Sequence, residues 1–132
     1  MKVIVLLASG MLVFASYSAW AAGPQITGPL PGYKCMMLNL TGAQIMDPAT
    51  HIPFRSRPSD TADIAGYASA QVAIKDPVRE VNGYVQARFP TGGTVWIKSS
   101  SLAPYHSLGD PTARCVPVMM SNGRSGFDYP HG

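Results

Sequence analysis

Short apolar runs, separated by glycine, proline and asparagine, follow one another along most of this chain. The runs that favour strands are residues 33–40, 70–74, 84–89 and 95–97. Short strands with turn residues between them are typical of all-β sandwiches and barrels. The chain has no heptad repeat, no long amphipathic helix and no internal repeat. The pattern therefore predicts an all-β fold.

Turn residues indicate how these strands connect. Asn82-Gly83 is the strongest hairpin signal and leads from a short strand at residues 78–81 into the run at 84–89. Residues 99–102 suit a single helical turn after the strand at 95–97. Pro117 interrupts a late apolar run at residues 115–120. Because proline has no N–H, this run is predicted to be an edge strand.

Residues 1–21 have the pattern of a secretory signal peptide. Lys2 supplies the positive start, an apolar stretch follows, and Ala19-Trp20-Ala21 places small residues at the positions that a signal peptidase recognises. We expect cleavage between Ala21 and Ala22 and a periplasmic location. The apolar stretch is shorter than the ~20 residues that a bilayer requires, so a retained membrane anchor is disfavoured.

Low charge distinguishes the remaining chain. Without residues 1–21, nine Lys plus Arg face seven Asp plus Glu, a formal charge of +2 over 111 residues. This charge does not favour nucleic acid as a partner. Charged residues make up about 14% of this part, against ~25% in an ordinary soluble domain. A surface so poor in charge fits either cover by a partner protein or a small Ser- and Thr-rich exported domain.

The two cysteines, Cys35 and Cys115, lie near the two ends of the exported chain. In an oxidising compartment such a pair is most simply a disulfide. The alternatives are a catalytic thiol paired with His51, His106 or His131, and Cu(I) held by Met36-Met37 and Met119-Met120. Neither is favoured, since the histidines lack a catalytic context and paired methionines usually fill apolar gaps.

Three motifs in order carry a resemblance to a known family. They are Pro53-Phe54-Arg55-Ser56-Arg57-Pro58-Ser59, then Asn82-Gly83-Tyr84, then Trp96-Ile97. In this order and spacing they resemble bacterial Src-homology-3 domains, small β-barrels that usually bind and rarely catalyse. The resemblance implies a barrel at 51–104. With the signal peptide at 1–21, this leaves an N-terminal arm and first strand at 22–50 and a C-terminal arm at 105–132. The disulfide would join the two irregular arms.

The resemblance also implies a binding surface. We expect Arg55 to hydrogen-bond carbonyl groups of its own turn and Arg57 to point outward. Tyr84 and Trp96 are aromatics of neighbouring strands, and both core packing and a ligand-facing position remain open for them. The candidate binding residues are Arg57, Tyr84, Trp96, Tyr105, Phe127 and Tyr129.

No catalytic, phosphate-binding or metal-binding motif occurs in the sequence. We therefore predict a non-catalytic protein without a cofactor or metal, which reaches a membrane only through a partner. One hypothesis is an accessory subunit of a larger periplasmic complex, of the kind represented by the small third subunit of a membrane-bound quinoprotein dehydrogenase of acetic-acid bacteria. The alternative hypothesis is a module that binds cell-wall peptidoglycan.

Overall fold

The structure, a computed structural model, describes residues 10–13 and 23–132. The predicted signal peptide, with its cleavage point at Ala21 and Ala22, lies largely outside these residues, so export stays a prediction. Within the described ranges, no helix has the length and apolar character needed to cross a bilayer.

The described chain contains eleven strands, which form two antiparallel sheets. One short helix, α1 (Gly42–Met46), and one 3-10 turn (Ser99–Ser101) interrupt them. The all-β prediction and the predicted helical turn are therefore confirmed. The strands are β1 Ile26–Pro29, β2 Tyr33–Leu38, β3 Pro53–Arg55, β4 Ile64–Tyr67, β5 Gln71–Lys75, β6 Glu80–Val81, β7 Tyr84–Arg88, β8 Thr94–Lys98, β9 Leu102–Pro104, β10 Val116–Met120 and β11 Ser125–Asp128.

The larger sheet has eight strands in the order β4-β3-β8-β7-β5-β2-β9, with β6 paired to β7 outside this path. The hydrogen-bonded order ends at β4 on one side and at β9 on the other, so the sheet is not closed into a barrel. The predicted hairpin lies between β6 and β7, where Val81 pairs with Tyr84. Asn82 and Gly83 both have positive φ, 52° and 78°, as a type I′ turn requires.

The hydrophobic core lies on one face of this sheet, because alternate side chains of a strand point to opposite faces. On β7 and β8 the inward pairs are Val85 with Ile97 and Ala87 with Val95. Ile74 of β5 and Ile97 are completely buried. Burying such a side chain stabilises the fold by roughly 1.5–3 kcal/mol relative to leaving it exposed.

The smaller sheet is made by segments of the two arms, in the order β1-β10-β11. β10 is its central strand, so the prediction of an edge strand at Pro117 is wrong. The carbonyl oxygen of Pro117 accepts a hydrogen bond from the Leu30 N–H at 3.0 Å. The nitrogen of Pro117 points toward β1, as its carbonyl oxygen does. It lies past Pro29, the last residue of β1 that pairs with β10, so the missing N–H costs at most one hydrogen bond at the end of the ladder.

A disulfide joins the two sheets. The sulfurs of Cys35, in β2, and Cys115, just before β10, are bonded, and their Cα atoms lie 5.7 Å apart. The predicted pairing is therefore confirmed. It closes a loop between residues 80 positions apart in the chain, which removes much of the entropy of the unfolded state.

Candidate functional site

The loop between β3 and β4, residues 56–63, folds over the outer face of β7 and β8. Tyr84 lies on this face opposite Lys98, yet only 3% of Tyr84 is exposed. Its hydroxyl donates a hydrogen bond to the Asp60 carboxylate, and the Asn82 side-chain amide donates to the Pro58 carbonyl oxygen at 3.3 Å. These two contacts hold the loop against the sheet.

Arginine side chains at the base and the tip of this loop have different roles. The Arg55 guanidinium donates from Nη1 to the Ala62 carbonyl oxygen at 3.1 Å, which confirms that Arg55 fixes its own turn. Its Nε is buried without a hydrogen-bond partner in the described chain. Arg57 is exposed at the surface of the loop, as expected from its position.

The Asp60 carboxylate interacts with both Tyr84 and Lys98. The hydrogen bond from Tyr84 and the ammonium group of Lys98, 3.3 Å from Asp60 Oδ1, hold the pKa of the carboxyl below its ordinary value of 3.8. The same hydrogen bond, together with burial, raises the pKa of Tyr84 above 10.0. At neutral pH, Tyr84 is therefore a neutral donor and Asp60 a carboxylate.

A surface cleft of about 230 Å³ opens beside these groups, and we call it the Tyr84 cleft. Cations and one carboxylate share its wall with small apolar side chains, so it suits a small ligand that carries a carboxylate. The ammonium of Lys98 already has Asp60 as a partner, which reduces the charge available to that ligand. The lining residues are Ile52, Pro53, Arg55, Asp60, Tyr84, Lys98 and Ser101.

The aromatics predicted to bind a ligand lie in several places. Trp96 is half-buried on the outer face, next to Arg55 and Gln86 in the sheet register. The rings of Tyr105 and Tyr129 lie 6.1 Å apart near the disulfide. Phe127 lines a narrow groove with Phe54, Tyr67 and Arg88. Their binding roles stay predictions, and the structure offers separate surfaces instead of one face.

Helix α1 supplies an apolar surface that the sequence analysis did not predict. All five residues of the helix are exposed, and Met46 reaches 82% exposure. Leu108, 91% exposed, lies across a groove of about 220 Å³ from the helix. We call this the α1 groove; no Asp, Glu, Lys or Arg lines it, and its residues are Met37, Leu38, Asn39, Leu40, Thr41, Gly42, Ile45, Ala103, His106 and Leu108.

Local hydrogen bonds explain why this helix forms without burial. The Thr41 hydroxyl accepts from the Gln44 N–H at 3.2 Å, and the Gln44 side chain accepts from the Thr41 N–H at 2.9 Å. This reciprocal pair is a capping box. The Thr-x-x-Gln spacing in the sequence is the pattern that would have predicted it.

The described residues contain no group of three or more His, Cys, Asp or Glu placed to hold a metal ion. Both cysteines are in the disulfide, so neither offers a free thiol for nucleophilic catalysis. One methionine of each pair packs within the fold: Met36 lies against the main core, and Met120 lies against Gly126.

No protein-family model, curated protein or solved structure matches the chain. The assignment to the Src-homology-3 family therefore stays a prediction. The candidate functional surfaces are the Tyr84 cleft and the α1 groove.

Proposed function

We propose that this chain is a non-catalytic accessory subunit of a periplasmic complex and that a larger protein covers its α1 groove. The observation that carries the proposal is the exposure of two apolar residues that line this groove, Ile45 and Leu108, 38% and 91%. Met46, next to Ile45 in the helix, is 82% exposed. Each apolar Å² removed from water contributes about 25 cal/mol. Covering this surface would therefore be favourable.

The surroundings of the groove support a protein as the occupant. Residues 35–46 contain no charged side chain, so the helix and the strand before it can enter an interface without desolvating an ion. A helix of five residues is marginal on its own. Packing against a partner would add the tertiary contacts that α1 lacks in the isolated chain.

Two features of the sequence support the proposed location. The N-terminal segment resembles a secretory signal, and disulfides such as Cys35–Cys115 are typical of oxidising compartments. The partner class we propose is a membrane-bound quinoprotein dehydrogenase, in which this chain would be the small subunit. In that arrangement the chain has no contact with the membrane of its own.

The test is purification of the tagged chain from its native host, with any bound protein identified by mass spectrometry. Wild type should retain a larger protein in fixed stoichiometry, and the complex should re-form from the two purified proteins. The double variant Ile45→Glu/Leu108→Glu should lose at least about 90% of the bound protein, because two charges buried in the interface oppose association. The matched control is Ile64→Glu/Val78→Glu, since these residues are also exposed, 48% and 44%, but lie outside the groove.

Several outcomes would contradict the proposal. A wild-type chain that purifies from its native host as a lone monomer would do so. Self-association through the groove, seen as a dimer by sedimentation, would replace the larger partner with a second copy. An equal loss of the bound protein in both double variants would show that the α1 groove is not the contact.

The Tyr84 cleft favours a second candidate function, binding of cell-wall peptide. Arg55 and Lys98 line it, and wall peptides carry carboxylates that such cations recognise. Tyr84 is too buried to stack on a sugar ring, so recognition would depend on these charges. Co-sedimentation with purified sacculi, weakened by Lys98→Glu, would support this candidate, and no retention on sacculi would remove it.

A further inference from the structure

A third groove is lined by both cysteines of the disulfide and by two cationic side chains. Its volume is about 340 Å³, within the range of pockets that hold ligands. Lys34 and Arg114 line it together with Met36, Pro104 and Tyr105, and no Asp or Glu does. We call it the disulfide groove.

Within residues 23–132, the two cations of this groove have no carboxylate partner. The ion pairs of the described residues are Lys98–Asp60 and His131–Asp110, and neither involves Lys34 or Arg114. Both cations are exposed. Two unpaired cations on one concave surface create a positive potential that attracts an acidic group.

Strand pairing on one side of β2 ends beside this groove. β9 pairs with Met36–Leu38 of β2 and ends at Pro104, whereas β5 pairs with β2 as far as Tyr33. On the β9 side, therefore, no strand of residues 23–132 pairs with residues 33–35. The free edge of a strand is where a partner segment can lie alongside and form main-chain hydrogen bonds.

Aromatic and apolar side chains complete the groove. Tyr105 lines it, and the Tyr129 ring, 6.1 Å from that of Tyr105, extends the apolar surface outward. The Arg114 N–H donates to the Pro130 carbonyl oxygen at 3.0 Å, which holds the C-terminal segment beside the groove. Tyrosine, methionine and proline surfaces accommodate the apolar side chains of a peptide, while the cations bind its carboxylates.

We propose that the disulfide groove binds an acidic, extended segment of the partner protein, with Lys34 and Arg114 pairing its carboxylates and Tyr105 packing against its apolar side chains. This inference rests on the proposed function, because it adds a second contact to the same complex. In this complex the α1 groove would bury apolar surface against the partner, and the disulfide groove would bind the carboxylates of the partner.

The test is a titration of the isotope-labelled exported chain with a blocked decapeptide of alternating glutamate and tyrosine, followed by nuclear magnetic resonance. We expect saturable shifts centred on the amides of Lys34, Tyr105 and Arg114. The variant Lys34→Glu/Arg114→Glu should raise the Kd about tenfold, since two exposed ion pairs are lost. Arg79→Glu/Arg124→Glu, with the same charge change outside the groove, should alter the Kd less than about twofold. If the first variant does not fold, Lys34→Gln/Arg114→Gln replaces it.

The proposal is overturned if the peptide does not bind saturably, if the shifts centre elsewhere or if the control variant weakens binding equally. Equal binding of a decapeptide with lysine in place of glutamate also overturns it. So does a dimer of this chain that dissociates in the variant Lys34→Glu/Arg114→Glu. If Lys34→Glu/Arg114→Glu and wild type retain the partner equally in native purification, the proposed binding of an acidic segment is wrong, but the accessory function is not contradicted. A wild-type chain without a partner contradicts the accessory function itself.

Discussion

At the scale of single residues, the sequence predicted the environment of a side chain better when its contacts lie close to it in the chain. Arg55 hydrogen-bonds a carbonyl seven residues away, within its own turn, as predicted. Tyr84 shows the limit of such prediction. Strand alternation places it on the outer face, but the loop that buries it lies 24 residues earlier, where Asp60 accepts its hydrogen bond. Asp60 and Lys98 were missed for the same reason, although Lys98 shares the strand face of Trp96.

The bond between Tyr84 and Asp60 predicts how stability depends on pH. The folded state lowers the pKa of Asp60, chiefly through Tyr84 and then Lys98. This contribution is present above the ordinary value of 3.8 and is lost as the pH falls through the lower pKa of the folded state. Tyr84→Phe removes the first cause. We therefore expect the urea midpoint to fall less between pH 7 and about pH 2.5 in this variant than in wild type.

The control for this measurement is Tyr33→Phe. The hydroxyl of Tyr33 has no hydrogen bond among the side-chain contacts of residues 23–132, so its loss should leave the pH dependence as in wild type. A Tyr84→Phe variant whose midpoint falls as steeply as that of wild type would contradict the assignment of Asp60.

At the scale of elements, turn chemistry predicted more than apolar patterning did. Asn82-Gly83 determined the β6–β7 hairpin because two consecutive positive φ values favour these residue types. Helix α1 was missed because no apolar periodicity accompanies it; its residues are all exposed. Its capping box was the available signal. The pairing of β1 with β10 joins residues about 90 positions apart, which local patterns do not encode.

The edge strand β4 depends on a glycine. A Cβ on Gly66 would lie 2.7 Å from the ring of Phe89, which packs edge-to-face on the core residue Phe54. The φ of Gly66, 158°, is also unfavourable for other residues. We expect Gly66→Ala to lower the free energy of unfolding by roughly 1–3 kcal/mol, as overpacking does. Urea unfolding at pH 7 measures this change.

Gly28→Ala in β1 is the matched control. A Cβ there meets nothing within 4 Å, and Gly28 has no positive φ. We expect a change within about 0.5 kcal/mol. If both alanine variants lose the same stability, the contact with Phe89 does not determine the requirement for glycine at position 66.

At the scale of the whole molecule, the two sheets contribute different numbers of residues to the hydrophobic core. The larger sheet holds the main cluster around Ile74 and Ile97. In the strands of the smaller sheet, the buried residues are Pro117 and Val118. The smaller sheet thus depends on its attachments, which are the disulfide and backbone bonds such as that from the Ser125 N–H to the Pro90 carbonyl oxygen, 2.9 Å.

Removal of the disulfide should therefore affect the two sheets unequally. In Cys35→Ser/Cys115→Ser the unfolded chain regains the entropy of a loop of about 80 residues, so we expect the free energy of unfolding to fall by about 4 kcal/mol. Amide hydrogen exchange should accelerate most in β10 and β11, which lose their covalent link to the main core, and least in β7 and β8.

The double serine variant removes both thiols, so no unpaired cysteine complicates the comparison. Wild type reduced by a thiol reagent should show the same hydrogen-exchange pattern as the double serine variant, because the same link is broken without a change in sequence. If β7 and β8 lose protection as early as β10 and β11 do, the two sheets unfold as one unit. The partner segment proposed for the disulfide groove would in that case bind a surface that is as stable as the core.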